Sequence, residues 1–419
     1  MTTTTLPTWF TARQQAAKSR YESLPAPKRG HEEWRFSNFK QLDFDCFEQR
    51  SADFSPPEDL ISRSEGLESP AAKFIFCNDT LIHQDISGLP EGVICLPLAE
   101  AIISHSELVE AHFMKQETRL GSAKFAALHE ANVTNGLFIH VPKNVEVEGV
   151  IEAHHWIDGA NTMAFPHTLI VTEANARVRV VDVFRSTTEL DPGVAIAFND
   201  LCAGTASSLD YVAVQALNEV TRIIQINETS TARDASAKGF ILNTGASWAR
   251  NESLSRLEGP GSRSDMLSVS IPAREQEYDQ RTFQHHVSEG AYSDLLYKNT
   301  LYDHAKTIFS GLIFVDERAH HTDAYQTCRN LMMSDTCEAN SMPGLQINAD
   351  QVKCSHGSTS SQISDDEIFY LRARGIDPAA ARALIARGFS IEAVKRLDHE
   401  ALETFLLTFI DAKMAPLTA

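Results

Sequence analysis

The chain has 419 residues, of which 43% are hydrophobic and 22% charged, the proportions of an ordinary globular protein with a large core. Lys and Arg total 37 against 56 Asp and Glu, and the net charge of −19 disfavours binding to nucleic acid or to an anionic membrane. No apolar stretch approaches the roughly twenty residues of a membrane-spanning helix, and the start lacks the order of a signal peptide. We therefore expect a cytosolic protein whose seven scattered cysteines, without a C-x-x-C pair, are reduced thiols.

The first 115 residues mix helix and strand signals. Trp9–Ser23 has the pattern of an amphipathic helix that stops before Pro25, and Ala99–Met114 also has a helical pattern. Ser51–Pro70 is polar and rich enough in proline to form a linker or a mobile loop. We predict a mixed, partly helical N-terminal region over residues 1–115.

From about Leu137 onward the sequence consists of many short runs of strand length. They are too short for membrane-spanning or coiled-coil segments, and no helix-length amphipathic pattern separates them as a βαβ fold requires. A sandwich, a barrel and a β-solenoid remain, and we favour the solenoid because 20 Gly and 16 Pro supply few turn signals for a sandwich of this length. These runs include Leu137–Val141, Gly149–Ala153, Thr168–Thr172, Arg177–Phe184, Tyr211–Leu217, Arg222–Ile226, Phe240–Asn243, Met266–Ile271, Leu295–Leu301, Ile308–Val315, Leu331–Met333 and Leu345–Ile347.

A thiol and an imidazole lie two positions apart in the strand-like segment Cys354-Ser355-His356. Side chains alternate along a strand, so Cys354 and His356 are predicted to point to the same face. Thiolate and neutral imidazole are ligands for soft and borderline metals, and such a pair can hold sulfur or iron. Taken alone, the pair also has a simpler interpretation, with Cys354 as a small core residue and His356 as a hydrogen-bonded strand residue.

Three helices are predicted to follow this segment. The first begins with a capping box formed by Ser364 and Glu367, and the second begins with an Asp cap followed by proline. Their expected limits are Ser364 to Gly375, Asp377 to Gly388, and Ser390 onward. We expect these helices, within residues 361–419, to cover the exposed edge at the end of the solenoid.

Several of these segments resemble the SufB and SufD family of iron–sulfur cluster assembly proteins. The resemblance rests on Lys353-Cys354-Ser355-His356-Gly357-Ser358-Thr359, a recurrent SufD pattern, and on His31–Phe36, which is similar to the E-E-W-R-[FY] near the family's start. Leu128–Gly136, leading to Val141-Pro142, resembles the opening of the family's β-helix. Gly357 favours the SufD branch, since SufB proteins typically carry Glu after this His. Cys328 departs from that branch, because it falls where SufB proteins carry a cysteine important for cluster assembly.

The resemblance implies a mainly β fold, with a right-handed parallel β-helix over residues 116–360 between the N-terminal region and a C-terminal helical domain. It implies a non-enzymatic scaffold that pairs with SufB through the β-helix and with the ATPase SufC through the C-terminal helices. A homodimer through the exposed solenoid edge is the alternative assembly for the isolated chain. His356 is implied to help bind iron or a nascent cluster at the SufB–SufD interface. Cys354 is a weaker candidate, and Cys328 is either an extra ligand or a buried strand cysteine. A flavin is associated with such complexes, although this sequence carries no flavin motif.

Other patterns limit the alternatives. No G-x-x-x-x-G-K-[ST] loop occurs, so any ATP must be hydrolysed by a partner. Neighbouring strand residues face opposite sides, so no His-His pair, at 154–155, 285–286 or 320–321, chelates one ion by itself. Arg250, beside Asn251, is interpreted as a surface residue, with the lining of an interior passage as the alternative.

Two rival functions stay open, a β-helix carbohydrate lyase or hydrolase and a stand-alone homodimeric binding protein.

Overall fold

The computed structural model describes residues 6–49 and 55–417, which form two long sheets with helices packed on their outer faces. Sheet A consists of β1 (Glu48–Gln49), β4 (Ile94–Pro97), β5 (Leu137–Val141), β7 (Thr162–Ala164), β8 (His167–Thr172), β10 (Gly193–Ala203), β12 (Arg222–Thr231), β14 (Trp248–Leu257), β16 (Glu277–His286), β18 (Lys306–Val315) and β20 (Glu338–Ile347). Sheet B consists of β2 (Ala72–Cys77), β3 (Thr80–Asp85), β6 (Glu146–Ile157), β9 (Arg177–Ser186), β11 (Ser208–Ala216), β13 (Ser236–Asn243), β15 (Arg263–Ser270), β17 (Tyr292–Leu301), β19 (Asp323–Met332) and β21 (Lys353–Ser361).

The helices lie at the two ends of the sequence. Five precede or join the first strands: α1 (Thr8–Ser23), α2 (Leu60–Arg63), α3 (Leu98–Ser104), α4 (Ser106–His112) and α5 (Ala123–Asn132). Three follow the last strand: α6 (Asp365–Arg372), α7 (Pro378–Val394) and α8 (Glu400–Met414).

From β5 onward, apart from the short strand β7, the chain alternates between the two sheets and builds a parallel β-solenoid of about eight turns. Each strand pairs in parallel with the strand one turn earlier, so that Arg263, Tyr292 and Asp323 occupy equivalent positions in β15, β17 and β19. Parallel pairing requires a crossover between paired strands, and here the strand of the opposite sheet supplies it. The predicted parallel β-helix with helical flanks is confirmed.

A residue in the left-handed backbone conformation marks the corner before each sheet B strand from β9 to β21. A backbone N–H at these corners donates to a carbonyl of the next turn, as in the bond from Ala206 to Arg233 (2.8 Å). Small, polar or glycine residues tolerate this conformation best, which explains how the chain turns its corners with few glycines. The corner residues are Asn175, Ala206, Asp234, Gly261, Gly290, His321 and Gln351.

The interior of the solenoid changes character along its axis. Near the first turns it is filled by alanine and branched aliphatic side chains, such as Ile139, Ile151 and Val180. From the middle turns to the last it contains amides and hydroxyls that hydrogen-bond to one another, either between neighbouring strands of one sheet or across the two sheets. These pairs are Asn199 with Asn227 (2.8 Å), Asn243 with Asn251 (3.0 Å), Gln280 with Ser270 (2.9 Å), Gln284 with Ser293 (2.8 Å) and Asn299 with Asn330 (2.8 Å).

The N-terminal helices and the loop that contains Trp34 cover the outer face of the first half of sheet A. Arg250 lies beneath this layer with no exposed surface. Its guanidinium pairs with Glu252 at 2.6 Å and with Asp279 at 2.5 Å, and it lies 3.6 Å from the centre of the Trp34 ring. The interpretation of Arg250 as a surface residue is wrong, because a separate segment of chain covers it. The alternative is wrong too, since the side chain points away from the interior.

The other N-terminal predictions are partly confirmed. The predicted helix Trp9–Ser23 corresponds to α1, whereas Ala99–Met114 contains two helices that are separated at His105. Residues 51–54 of the predicted linker lie outside the described residues, and the rest of that segment contains α2. Strands β2, β3 and β4 also belong to this part of the chain and extend both sheets.

The three C-terminal helices lie against the outer face of sheet B. Leu406 and Ile410 of α8 pack with Phe240 and Leu267 of the sheet, and a buried Lys298 pairs with Glu392 of α7. The expectation that these helices cover the end of the solenoid is therefore wrong, because their apolar residues face a sheet.

The limits of these helices are only partly as predicted. The capping box at Ser364 and the cap at Asp377 are both present. However, α7 continues past Gly388 to Val394, and Ser390, the expected start of the third helix, is buried inside α7. The next helix instead begins after His399, whose ring accepts from the Leu402 N–H. Burial of this face outweighed the weak helix propensity of one glycine.

Candidate functional site

The candidate site lies at the end of the solenoid formed by β20 and β21, which we call the open end. Each of these strands is the last in its sheet and has a hydrogen-bonded neighbour on one side only. Every residue of β21 other than Cys354 is exposed. At the opposite end, the antiparallel strands β3 and β4 terminate the two sheets. The open end thus presents backbone N–H and C=O groups to which a further strand can add.

The parallel register between β19 and β21 fixes the direction of His356. Its partner in β19 is Gln326, a buried residue whose amide lies 3.4 Å from Gln284 in the opposite sheet and so points into the interior. Paired residues of parallel strands point to the same side, so His356 points along the same interior column. It is exposed because no further turn lies over it. The imidazole therefore stands at the mouth of the solenoid.

Cys354 lies on the same face as His356, as predicted. It pairs with the buried Ala324 of β19 and is itself half-buried against the apolar residues Ile313 and Val315. Burial and the nearby Asp323 carboxylate raise the pKa of the Cys354 thiol. About 7 Å separates the Cα atoms of residues two apart on a strand. The pair can face one ligand together, with the imidazole closer to solvent.

Cys328 lies one strand further inside and is fully buried. Its Sγ atom is within 3.7 Å of the Asn299 amide and 3.9 Å of the Ser341 hydroxyl, and its partner in β21 is Ser358. Burial raises the pKa of the Cys328 thiol to about 12, so the group is neutral near pH 7. The structure places Cys328 as a buried strand cysteine, apart from the surface that His356 occupies.

Polar residues around Cys328 were not predicted from the sequence. Asn330 donates to Ser341 (3.4 Å) and to Ser360 (3.1 Å), and so links β19 to both strands of the open end. The sequence feature that could have indicated this cluster is the Ser-rich end of β21, a segment of strand length without apolar residues. A search for apolar runs passes over such a strand.

The histidine pairs at 154–155 and 285–286 lie in strands, where neighbouring side chains face opposite sides as predicted, whereas His320 and His321 lie in the turn before β19. His285 faces outward and lies 3.1 Å from Asp316, whereas His286 faces inward and lies 2.7 Å from Ser293. His154 is buried and hydrogen-bonds to Glu152. Within residues 6–49 and 55–417, no cluster of three or more His, Cys, Asp or Glu side chains has the arrangement of a metal site.

Comparison with known proteins gives two matches that together cover most of the chain. A family model described as the SUF system FeS cluster assembly SufBD core domain matches residues 155–389. A second model, the SufBD protein N-terminal region, matches residues 3–153. The chain belongs to the SufBD family. The resemblance noted in the sequence is confirmed.

Individual SufBD relatives extend over nearly the same length. The chain is 28% identical to the iron–sulfur cluster assembly protein SufD of Bacillus subtilis, over 97% of this chain and 94% of that protein. It is 26% identical to SufD of Escherichia coli, over 93% and 89% of the two chains. It is 24% identical to SufB of Bacillus subtilis, over 74% of this chain and 66% of that protein.

The SufBD core match includes the whole open end and the helices α6 and most of α7. No helix in the described part of this SufBD chain has the length and apolar character needed to cross a membrane. None of its seven cysteines is in a disulfide. The ligand roles of His356, Cys354 and Cys328 stay predictions.

Proposed function

We propose that this SufBD-family chain is a SufD-type subunit of a cytosolic complex with SufB and SufC that assembles iron–sulfur clusters. The similarity to SufD proteins over almost the whole chain supports this assignment, because the matches to SufD cover more of it than the match to SufB does. In this proposal the chain is a scaffold without enzymatic activity, and SufC hydrolyses ATP.

The observation that carries the proposal is the open end, where the unpaired strands β20 and β21 stand beside His356. Exposed strand edges are normally blocked by charge, proline or a covering element. Here β21 has one charged residue, Lys353, followed by Ser, Gly, Thr and exposed His356. Strand β20 carries Glu338 and Pro343, so β21 is the less protected of the two edges. SufB, as a solenoid of the same family, has strands of the right kind to continue both sheets. The join would place His356 between the two subunits.

The ligand count at the open end favours a shared site for iron or a nascent cluster. His356 supplies one imidazole nitrogen, and Cys354 supplies a thiol whose raised pKa disfavours the thiolate. Iron and its sulfide clusters take about four protein or sulfide ligands at each metal. The remaining ligands would come from SufB across the join. Cys328 is a structural cysteine in this proposal, since a layer of β21 residues lies over it. A flavin in the complex stays a prediction.

The C-terminal helices provide the proposed surface for SufC. Their apolar faces are buried on sheet B, but Phe369, Tyr370 and Leu384 have exposed fractions of 70%, 57% and 53%. Large apolar residues grouped on a surface are typical of a protein contact. These three residues lie on α6 and the first half of α7, away from the sheet that anchors them. They are the residues we expect SufC to cover.

The test is co-purification of the tagged chain with SufB and SufC of its own organism, followed by metal and sulfide analysis. We expect a stable complex that carries iron. His356→Ala should leave the complex intact but remove most of its iron, whereas His83→Ala, on β3 at the opposite end of the solenoid, should change neither. Unchanged iron in His356→Ala would remove this residue from the site. Failure of the wild-type chain to associate with SufB would refute the proposed function.

A homodimer is a second candidate assembly, because an open solenoid end can also pair with the same end of another copy. Light scattering of the isolated chain separates the cases. A mass of two chains for the isolated protein, replaced on mixing with SufB by a species that contains one copy of each chain, supports exchange of partners at one surface. The family assignment gives the carbohydrate-enzyme alternative no support.

A further inference from the structure

Phe36 has an unusual backbone conformation for a large aromatic residue. Its φ angle is +70°, in the left-handed region, and 42% of its surface is exposed. A side chain larger than Asn or Asp rarely adopts this conformation, and it does so only when the surroundings force it. The ring is only partly buried in return. The fold therefore holds a strained residue and leaves much of its side chain free for another contact.

Charged side chains of sheet A hold the segment of residues 33–38, which we call the strap. The guanidinium of Arg281 donates to the carbonyl of Arg35 at 2.8 Å, and the ammonium of Lys306 donates to the carbonyl of Phe36 at 2.9 Å. Ser37 hydrogen-bonds to Asp279 on the other side of Phe36. Charged donors and acceptors form the stronger hydrogen bonds, so the strap is fixed on both sides of the strained residue.

The strap directs two adjacent side chains outward. The Arg35 guanidinium lies 5.0 Å from the centre of the Phe36 ring, the geometry of a cation–π contact. Arg35 has no ion pair with any described residue, although the chain as a whole is strongly acidic. An aromatic ring beside an unpaired arginine is the combination most enriched at the centres of protein interfaces.

The strap also lies beside the open end. The Lys306 ammonium that holds the Phe36 carbonyl is 3.7 Å from the carboxylate of Glu338, the first residue of β20. A strand added to β20 would lie about 4.8 Å beyond it. Lys306 begins β18, so the strap lies about two strand spacings from such an added strand. A loop or side chain at the rim of the partner can therefore contact Phe36.

We propose that Phe36 and Arg35 form an anchor that contacts the second solenoid subunit when that subunit pairs with the open end. The proposal rests on the proposed function, since it requires the SufB-type partner to be seated on β20 and β21. The partner is expected to receive the ring in an apolar depression and the guanidinium on a carboxylate or carbonyl at the rim of its own solenoid. The strain at Phe36 is retained because it sets the direction of the ring.

The test uses a substitution that separates folding from binding. Phe36→Gly removes the ring and relieves the left-handed strain, because glycine adopts this conformation freely. We expect the melting temperature of the isolated chain to stay equal or to rise, while the dissociation constant for purified SufB of the same organism rises about tenfold to thirtyfold. Arg35→Ala, which leaves the backbone bonds of the strap in place, should raise the dissociation constant severalfold.

The matched control is Ala206→Gly, at an exposed corner with φ of +56° near β10, far from the open end. It should relieve strain in the same way and leave SufB binding unchanged. If Phe36→Gly binds SufB as tightly as wild type, the anchor is refuted while the proposed function stands. A clear fall in the melting temperature of Phe36→Gly would contradict the claim that much of the ring is free for another contact. If wild-type chain does not bind SufB, the proposed function fails first.

Discussion

Replacing Arg250 by methionine tests how the N-terminal region is held to the solenoid. The substitution keeps most of the side-chain volume but removes the cation between Glu252 and Asp279, both of which are buried. It also removes hydrogen bonds to the carbonyls of Glu33 (2.9 Å) and Leu120 (2.7 Å). Breaking a buried ion pair from one side typically costs about 3 to 5 kcal/mol, because a charge is left without its partner.

We therefore expect Arg250→Met to lower the free energy of unfolding by about 3 to 5 kcal/mol in urea. Tryptophan fluorescence is a suitable signal because Trp34 lies directly against the guanidinium and Trp248 is buried in the same layer. Arg387→Met is the control, since its pair with Asp411 is half-exposed and should contribute less than about 1 kcal/mol. A loss at Arg250 no larger than that of the control would refute the argument that buried charges hold the two parts together.

Three further predictions concern packing, pH and thiol reactivity. Leu406→Ala, at a fully buried position of α8, should cost about 2 to 5 kcal/mol in urea unfolding, and a loss under about 1 kcal/mol would contradict the packing of α8 on sheet B. Burial lowers the pKa of His286 from 6.5 to about 3, so the stability that its neutral form contributes above pH 6.5 is lost as the pH falls toward 3. His286→Gln should therefore lose less stability than wild type between pH 7 and pH 4 in urea unfolding; equal losses would contradict this pKa. Cys328 should resist a thiol reagent that modifies the exposed Cys46 within minutes. Equal labelling rates of the two thiols, measured by mass spectrometry, would show that β21 does not shield Cys328 from solvent.

The apolar strands were predictable from the sequence because their period of two is strong. The run Leu137–Val141 matches β5 in full, and Leu295–Leu301 lies within β17. The strands β14 and β16 were not predicted, although nearly all their residues are buried. Their sequences are rich in Glu, Arg, Gln and Asn, because one face meets the polar interior and the other meets the strap. A strand that buries charged side chains on one face and amides on the other gives no apolar pattern to detect.

The shared face of Cys354 and His356 could be predicted from their spacing alone, since it depends only on the geometry of one strand. Their exposure could not be predicted, because it depends on where the C-terminal helices pack. The expected cap over the solenoid end assumed that helices next in sequence cover the nearest open edge. The apolar stripe of α8, including Leu406, is instead complementary to the outer face of sheet B, and burial there leaves the edge free.

The role of Arg250 was also beyond local sequence reasoning. Its contacts come from residues 33 and 120, both more than one hundred positions away. The sequence predicts no link between the motif around Trp34 and the segment around Arg250, whereas the fold joins them into one cluster. Tertiary contacts of this separation leave no trace in a local pattern.

The most direct test of the account is hydrogen–deuterium exchange of residues 338–361, measured in the isolated chain and in its mixture with SufB of the same organism. We expect the edge amides of β20 and β21 to exchange rapidly in the isolated chain and to become strongly protected in the complex, since a partner strand would bond to them. Formation of a complex with no change in exchange across this segment would contradict the claim that the open end is the surface that joins the two subunits.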